Sequence, residues 1–366
     1  MKKLKVIISG GGTGGHIFPA LSIADELKKT VSDVEILFVG AEGKMEMERV
    51  PAAGYPIKGL PIMGMPRKLS LQLVKFAFSV YKSNSNAKKI IKDFQPNFVV
   101  GVGGFASYPI LNAAAKKGIP TYLQEQNSYA GVSNKKLSKM VRRICVAYDR
   151  MDKFFPAEKI IETGNPVRQN LLEITDKAVA LESYALEAGK PVVVVVGGSL
   201  GARTLNEAVL AHLDEIKNSA VQIIWQTGKF YYQEMLDRLG DDKPSNLQVH
   251  QFLSDMAQAY AVADLVIARA GASTISELCL LGKASLLVPS PNVAEDHQTK
   301  NALALVDKQA AAWVKDIDAV EQMIPTALQL VKDDEQLGKF RANSLKMGKP
   351  NATKDIVEII LNDFSK

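Results

Sequence analysis

Two segments of this 366-residue chain share one order of features: a strand-like apolar run, a glycine-rich turn and the start of a helical pattern. The first is LKVIISGGGTGGH (4–16), and the second is PVVVVVGGSLGAR (191–203). A buried strand that runs into a bare turn before a helix is the opening unit of a doubly wound parallel sheet. The repetition therefore predicts two domains, each with its own sheet.

Apolar, β-branched runs alternate with segments of helical periodicity along the whole chain, as in parallel sheets covered by helices on both faces. The first series of runs is Val6–Ile8, Glu35–Val39, Asn97–Val102, Pro120–Leu123 and Arg143–Val146. The second series is Pro191–Val196, Val221–Trp225, Leu247–Phe252, Asp264–Ala268 and Ala284–Pro289. We therefore expect an α/β chain of two doubly wound, Rossmann-like domains that face a cleft. The expected bounds are 1–164 and 165–345, with a C-terminal helix in 346–366 that packs back on the N-terminal domain.

The composition favours a chain that works in a reducing compartment. The two cysteines, Cys145 and Cys279, lie far apart in apolar stretches, so each is expected to be a buried free thiol. No run reaches the roughly 18 apolar residues that a membrane span needs. The short apolar run before Ser9 leads directly into glycines and is typical of a first strand, not of a signal peptide.

The first glycine-rich turn satisfies the spacing of a dinucleotide-binding fingerprint at Gly10, Gly12 and Gly15. That fingerprint also needs an acid at the end of the second strand, and the nearest candidate, Glu42, lies in a segment that resembles a helix start. A nucleotide-dependent oxidoreductase is therefore an alternative that would leave the second glycine-rich turn unexplained. A non-catalytic peripheral membrane protein would leave both turns unexplained.

Seven motifs occur in one order along nearly the whole chain. They are GGTGGHIFPA (11–20), GVGGFAS (101–107), EQNSYAG (125–131), GNPVR (164–168), GGSLGA (197–202), ARAGASTISE (268–277) and PNVAEDHQTKNA (291–302). In these motifs the chain resembles the MurG family of glycosyltransferases, which add N-acetylglucosamine from UDP-GlcNAc to lipid I to give lipid II. The resemblance implies the GT-B fold, with the acceptor bound mainly by the N-terminal half and the nucleotide sugar by the C-terminal half. We further expect inverting transfer to the C4 hydroxyl of the MurNAc unit without a cofactor, and without a metal ion because the glycine-rich turns and cations replace one at the departing pyrophosphate.

The resemblance assigns substrate-binding residues to both halves. In the N-terminal half they are Thr13, Gly14, Gly15 and Asn127. In the C-terminal half they are Arg168, Ser199, Leu253, Ala272, Ser273, Thr274, Ile275, Ser276, Glu277 and Gln298. Within this set the resemblance gives Glu277 the ribose hydroxyls, Gln298 the GlcNAc ring and Leu253 a backbone contact with uracil.

Several of these residues also have a structural interpretation from the sequence alone. Thr274 and Glu277 match the spacing of a capping box at a helix start, and Ser199 could be a plain N-cap. Asp316 and Asp318 form a D-x-D spacing that other glycosyltransferases use for a divalent ion, but they lie outside every motif, so we interpret this match as chance.

Transfer to a sugar hydroxyl needs a group that removes its proton, and two residues are candidates. His16 stands at an expected helix start, where the helix dipole would keep the imidazole neutral. Glu125, in the EQN motif, is the rival. Many family members have a His before this Glu and a Tyr after GVGG, whereas this chain has Gln124 and Phe105. The sequence leaves the base open between His16 and Glu125, and leaves His16 an equal role as a hydrogen-bond partner of phosphate or sugar.

A basic segment predicts a membrane-facing surface. Pro61–Lys92 holds seven Lys or Arg and no acid, and Lys68, Lys75, Lys82 and Lys89 recur every seven residues. Leu71, Val74 and Phe78 flank this stripe, and Leu69, Leu73, Phe76 and Val80 fall on the opposite face. Ser133–Arg143 adds five more cations. We expect one face to pack on the domain and the lysine face to meet anionic lipid, at the cytoplasmic face of the cell membrane. No nucleic-acid motif accompanies the charge, and other cell-wall synthesis proteins are further candidate partners.

Overall fold

The computed structural model describes residues 3–63, 71–167, 171, 176–198 and 200–365, without the side chains of residues 71–75, 77 and 294. The chain divides into two compact units. The N-terminal unit is Met1–Arg168 together with Asn351–Lys366, and the C-terminal unit is Gln169–Pro350. Among the described residues, no helix has the length and apolar character needed to cross a membrane.

The N-terminal unit is built on a seven-stranded parallel sheet. Its strands are β1 (Leu4–Ser9), β2 (Val34–Ala41), β3 (Ile57–Leu60), β4 (Phe98–Gly101), β5 (Thr121–Glu125), β6 (Arg143–Val146) and β7 (Ile160–Glu162). Its first five helices are α1 (Gly14–Thr30), α2 (Glu46–Ala52), α3 (Leu71–Phe94), α4 (Ser107–Ala115) and α5 (Val132–Leu137). The strand order is β3-β2-β1-β4-β5-β6-β7, the order of a Rossmann sheet with one added edge strand.

The C-terminal unit repeats this plan with six parallel strands. They are β8 (Val192–Val196), β9 (Gln222–Gln226), β10 (Leu247–His250), β11 (Leu265–Ala268), β12 (Ser285–Leu287) and β13 (Ala312–Trp313), in the order β10-β9-β8-β11-β12-β13. The helices are α6 (Lys177–Ser183), α7 (Arg203–Ala211), α8 (Leu213–Lys217), α9 (Tyr232–Leu239), α10 (Met256–Val262), α11 (Ala272–Leu280), α12 (His297–Val306), α13 (Ala319–Leu330) and α14 (Asp334–Lys346).

Alternation along the central strands explains why helices cover both sheet faces. In β1, Ile7 belongs to one apolar cluster, whereas Val6 and Ile8 belong to a second cluster on the other face. All three side chains are fully buried. Each such burial stabilises the fold by about 1.5–3 kcal/mol relative to an exposed side chain. The predicted α/β class with two doubly wound domains is therefore confirmed.

Three strands were not predicted from the sequence. They are β3, β7 and β13, and each lies at the edge of its sheet. An edge strand has only one neighbour and need not be apolar on both faces, so its sequence carries little signal. The ten predicted strands are all present.

The last helix, α15 (Ala352–Phe364), belongs to the N-terminal unit, where it packs against α1. Asp363 ties its C-terminal end to the sheet: its carboxylate pairs with Arg143 (3.1 Å) and Arg142 (3.5 Å) and accepts a hydrogen bond from Tyr122 Oη (3.0 Å). The next residue, Phe364, places its ring 5.4 Å from that of Phe98. Charged and aromatic contacts thus anchor the same turn.

Helix α3 carries part of the predicted lysine stripe. Lys68 and Leu69 lie outside the described residues, as do the side chains of Leu71, Leu73, Val74 and Lys75. Phe78, Lys82 and Lys89 are exposed, as the predicted membrane-facing surface would require. The placement of Val80 on the packed face is wrong, because its side chain is 43% exposed. Here the helix is held by polar contacts instead, since the hydroxyls of Ser79 and Ser83 both donate to the carbonyl of Pro61.

Candidate active site

In each unit the topology brings two loops together at the carboxyl edge of the sheet. The strand order reverses between β1 and β4 and again between β8 and β11. Ligands of doubly wound sheets bind outside the carboxyl ends of the strands at this switch point. The two glycine-rich turns follow β1 and β8, and the GVGG and ARAGAS motifs follow β4 and β11. Four of the seven motifs therefore lie at switch points.

Two glycines of the first turn are required by packing. A Cβ atom on Gly10 would lie 2.1 Å from Cγ2 of Val102, and one on Gly11 would lie 2.1 Å from Oε1 of Glu46. Gly12 is different: it has φ +90°, and nothing lies within 4 Å of its Cβ position. Packing therefore explains why residues 10 and 11 are glycines. Gly12 instead leaves open space beside the start of α1.

Glu46 organises the first turn, a role that was not predicted. The residue is fully buried (0% exposed) at the start of α2. Its Oε2 accepts a hydrogen bond from the Gly12 N–H and its Oε1 accepts one from the Ala41 N–H, both at 2.9 Å. It stands near the end of the second strand, where a dinucleotide-binding fold keeps an acid for the ribose. Since both of its oxygens bind the backbone, it is not presented to a ribose.

His16 lies in the first turn of α1, directly against the GVGG turn. Thr13 is the N-cap residue, and its carbonyl accepts hydrogen bonds from the N–H groups of His16 (3.1 Å) and Ile17 (3.2 Å). The Thr13 hydroxyl lies 3.3 Å from Nδ1 of His16. Gly14 and Gly15 are the first two helical residues. The structure thus brings together Thr13, Gly14, Gly15 and His16 at one helix start, with Nδ1 held by Thr13.

Glu125 ends β5 and is buried. Its Oε2 accepts hydrogen bonds from the Gly131 N–H (3.0 Å) and Asn134 Nδ2 (2.9 Å). Its Oε1 accepts from Asn127, through the backbone N–H (3.1 Å) and through Nδ2 (3.4 Å). Burial raises the pKa of Glu125, and these donors oppose the rise because they stabilise the carboxylate. Both oxygens are thus occupied in shaping the loop between β5 and α5.

The two positions where this chain departs from the family it resembles, Gln124 and Phe105, have different surroundings. Gln124 is buried and donates from Nε2 to Oδ1 of Asn165 (2.8 Å). Phe105 is a largely exposed aromatic side chain beside the GVGG turn. Gln124 therefore links β5 to the loop after β7 at the carboxyl edge of the N-terminal sheet.

In the C-terminal unit, the second glycine-rich turn leads into α7, whose N-cap residue is Ala202. Ala202 thus occupies the N-cap position of α7, and the N-cap role considered for Ser199 stays a prediction. Ser199 and Arg168 lie outside the described residues.

The start of α11 offers backbone N–H groups. Gly271 is its N-cap residue, without a capping side chain, and Ile275 donates the first intrahelical hydrogen bond to the Gly271 carbonyl (2.9 Å). The side chains of Ala272 and Ile275 are buried, so only their backbone groups could meet a ligand. The N–H groups of residues 272–274 precede that first hydrogen bond and form the positive end of the helix dipole. Ser276 donates its hydroxyl to the Ala272 carbonyl (2.9 Å).

The capping-box interpretation of Glu277 is wrong. Because α11 begins at Ala272, Thr274 is not its N-cap, and Glu277 lies in the second turn. The carboxylate is buried and accepts a hydrogen bond at Oε2 from Tyr260 Oη (3.0 Å). Tyr260 orients the carboxylate from the neighbouring helix α10, which the sequence did not indicate.

Leu253 lies in the loop after β10, and Gln298 lies in the first turn of α12, at the same edge. The Leu253 N–H donates to Oε1 of Gln226 (3.0 Å), and Gln298 accepts at Oε1 from the Ser290 N–H (2.8 Å). The turn before α12 is strained, because Glu295 (φ 58°) and Asp296 (φ 50°) are consecutive non-glycine residues in the left-handed region. Such strain is concentrated at ligand-binding segments.

Asp316 of the D-x-D spacing is engaged in the fold. It forms an ion pair with Arg269, and its other oxygen accepts a hydrogen bond from the Thr204 hydroxyl (3.1 Å). Arg269 also donates to the carbonyls of Val288 (3.1 Å) and Pro289 (3.3 Å). The pair ties the ends of β11 and β12 to the start of α7.

Comparison with known proteins gives the family. Residues 6–146 match the N-terminal domain of glycosyltransferase family 28, and residues 192–357 match its C-terminal domain. A protein of Phocaeicola vulgatus is 56% identical and covers 100% of this chain and 96% of its own length. One of Bacteroides thetaiotaomicron is 54% identical, with 98% of both chains covered. Both are named UDP-N-acetylglucosamine–N-acetylmuramyl-(pentapeptide) pyrophosphoryl-undecaprenol N-acetylglucosamine transferase.

A solved structure agrees with this result. The crystal structure of Acinetobacter baumannii MurG is 31% identical, has a TM-score of 0.78, and covers 98% of this chain and 99% of its own. A UDP-GlcNAc 2-epimerase from Neisseria meningitidis, at 15% identity and a TM-score of 0.65, shares the fold alone. The oxidoreductase alternative finds no support here. The chain belongs to glycosyltransferase family 28, within its MurG group, and has the GT-B fold of that family.

Proposed function

We propose that this protein transfers N-acetylglucosamine from UDP-GlcNAc to the C4 hydroxyl of the MurNAc unit of lipid I, forming lipid II. The observation that carries the proposal is the carboxyl edge of the C-terminal sheet. There the second glycine-rich turn, the start of α11 and the oriented carboxylate of Glu277 lie together. This chain has near-full-length relatives named for that reaction.

The donor half of the site suits a nucleotide diphosphate. The departing pyrophosphate gains negative charge, which backbone N–H groups and helix dipoles stabilise. The start of α11 supplies both, with the hydroxyls of Ser273 and Thr274 in the same turn. We assign the ribose hydroxyls to Glu277, the uracil to the backbone at Leu253 and the sugar ring to Gln298. Arg168 and Ser199 complete the set by their place in the motifs.

The acceptor half suits a sugar hydroxyl. We assign the general base to His16, whose Nδ1 is held by Thr13. In the step, the C4 oxygen of MurNAc bonds to the anomeric carbon, the bond from that carbon to the UDP oxygen breaks, and the imidazole takes the proton. One displacement of this kind inverts the anomeric configuration. Glu125 then acts as a positioning residue that holds Asn127 and the loop before α5.

The lipid acceptor calls for contact with a membrane surface. Exposed Phe78 (66%) and Tyr81 accompany Lys82, Lys88 and Lys89 on α3. Phe78 and Lys82 also line a groove of about 620 Å³ with Pro61, Ile62 and Met63. Apolar side chains among lysines bind anionic lipid surfaces. We assign this surface to peripheral attachment at the cytoplasmic face of the membrane.

The reaction is tested with radiolabelled UDP-GlcNAc and a lipid I analogue. Label transferred to the lipid product supports the proposal. Binding of UDP-GlcNAc without transfer would leave a nucleotide-sugar-binding module, and indifference to both UDP and the lipid would refute the proposal.

A further inference from the structure

One buried amide connects two loops at the carboxyl edge of the C-terminal sheet. Gln226 is the last residue of β9 and is only 2% exposed. Its Nε2 donates to the carbonyl of Gly198 (2.9 Å), and its Oε1 accepts from the N–H of Leu253 (3.0 Å). Gly198 follows β8 and Leu253 follows β10, the two strands that flank β9 in the sheet. Gln226 therefore spans the loops on both sides of its own strand.

The segment after Gln226 also supports the second glycine-rich turn. A Cβ atom on Gly228 would lie 2.1 Å from Cα of Gly201, so the two backbones touch. The Gly198 carbonyl accepts a second hydrogen bond, from the Gly201 N–H (3.0 Å). The turn is thus seated on the end of β9, and the Gln226 amide determines where the Gly198 carbonyl points.

We infer that Gln226 is a positioning residue of the donor site. Its side chain couples the loop that contacts the diphosphate to the segment that contacts the uracil ring. The inference rests on the function proposed above, which gives uracil to the backbone at Leu253, and it adds that the second glycine-rich turn contacts the diphosphate together with the start of α11. Because a primary amide both donates and accepts, one side chain can hold a carbonyl on one side and an N–H on the other. Preorganised loops bind a ligand without first losing conformational entropy. Loss of the amide is therefore expected to weaken the binding of UDP while leaving the rate of the chemical step unchanged.

The same strand provides a matched control. Gln222 begins β9, at the opposite edge of the sheet, and is 6% exposed. Its Nε2 donates to the carbonyl of Glu187 (3.0 Å), and its Oε1 accepts from the N–H of the same residue (2.7 Å). Gln222 thus makes the same two kinds of backbone hydrogen bond, far along the strand from the glycine-rich turn. Replacement of either glutamine by methionine removes the same groups with nearly the same volume.

The experiment compares Gln226→Met, Gln226→Glu and Gln222→Met with the unaltered protein. Titration calorimetry gives the dissociation constants of UDP and uridine, and transfer assays give kcat and KM. Gln226→Met should weaken UDP and raise KM for UDP-GlcNAc by about tenfold or more, with kcat changed little. Gln226→Glu keeps an oxygen that accepts from the Leu253 N–H but loses the N–H that donates to the Gly198 carbonyl. This variant should therefore bind UDP more weakly while its affinity for uridine stays the same.

Gln222→Met should lower the melting temperature without changing either dissociation constant. If both methionine variants lose stability equally and both keep the KM for UDP-GlcNAc, Gln226 is a structural residue only and the inference fails. Should Gln226→Met fail to fold, the ratio of UDP to uridine affinity in Gln226→Glu decides the question. Failure of the proposed function looks different, because the unaltered protein itself would then transfer no N-acetylglucosamine, whether or not it binds UDP-GlcNAc.

Discussion

A Cβ atom built on Gly103 would lie 2.9 Å from Nε2 of His16, so the imidazole ring rests on the backbone of the GVGG turn. This turn is itself held in place, because the buried hydroxyl of Ser107 donates to the carbonyls of Ser9 (2.8 Å) and Gly103 (2.7 Å). The ring is thus confined between Thr13 at Nδ1 and Gly103 at its other edge. Such confinement sets the direction from which an acceptor hydroxyl could approach.

The contact predicts that Gly103→Ala displaces the imidazole. Gly118→Ala is the control: both glycines have positive φ (+94° and +74°), but nothing lies within 4 Å of the Cβ position at Gly118. Both variants should lose about 1–2 kcal/mol of stability from left-handed backbone strain. Only Gly103→Ala should also lower kcat, by about 10² if the ring moves by about 1 Å. Equal transfer rates in the two variants would show that the ring position does not matter.

The base is identified by single-turnover transfer against pH with His16→Asn and Glu125→Gln. A base must be deprotonated to work, so the rate falls as pH drops through its pKa. His16→Asn should lower the chemical step by about 10²–10⁴ and remove this acidic limb. Glu125→Gln places an NH₂ group toward the N–H donors of Asn127 or Gly131, so we expect a lower melting temperature and a slower rate with the limb retained. Loss of the limb in Glu125→Gln alone would reverse the assignment.

The central strands and the glycine-rich turns were predictable because their signal is local. A run such as VVVVV at 192–196 has to be buried on both faces, and the turn after it follows directly in sequence. Glu46 and Gln226 were not predictable, because each binds a backbone group far along the chain. Glu46 binds Gly12 across 34 residues, and Gln226 binds Gly198 and Leu253 across 28 and 27 residues. A carboxylate soon after the second strand was a usable signal, but the sequence pointed to the exposed Glu42 instead.

The capping box at Thr274 failed for a related reason. The T-x-x-E spacing fits a helix start, but α11 begins earlier, at Ala272, where Gly271 adopts the extended N-cap conformation. A glycine can be the N-cap residue without any side-chain hydrogen bond, so the sequence pattern alone could not place the boundary.

Transfer is predicted to need no divalent metal ion. The arrangement at α11 provides backbone N–H groups for the pyrophosphate, and Asp316 is paired with Arg269. Transfer to a soluble or detergent-solubilised acceptor should therefore keep its rate in EDTA. A control with the same acceptor and added magnesium separates effects on the lipid from effects on the protein. Full loss in EDTA that magnesium restores, with a soluble acceptor, would contradict this prediction.

Lys283 predicts a pH dependence of stability. Burial, with Lys177 and Arg341 nearby, lowers its pKa to about 8, although Asp264 opposes the shift. The folded state therefore binds the Lys283 proton more weakly than the unfolded state does. The free energy of unfolding consequently rises as the pH increases above about 8, and this gain in stability is lost as the pH falls through 8. Lys283→Met should be the more stable protein at pH 7, by about 1–3 kcal/mol, with the advantage shrinking toward pH 10. Denaturant unfolding measures this, with exposed Lys354→Met as the control. A difference that does not vary with pH would contradict it.

Glu277 and Tyr260 give the sharpest test of the donor site. Glu277→Gln keeps an oxygen that accepts from Tyr260 Oη, so the fold should lose little stability. The substitution removes the negative charge of the carboxylate that would accept hydrogen bonds from two ribose hydroxyls. A hydrogen bond to a charged group contributes about 1.5–3 kcal/mol. We therefore expect KM for UDP-GlcNAc to rise about 10- to 100-fold. Tyr260→Phe removes only the orienting hydroxyl and should raise KM by less. If Glu277→Gln lowers the melting temperature while KM and the UDP dissociation constant stay unchanged, Glu277 supports the packing of α10 on α11 and does not bind the ribose.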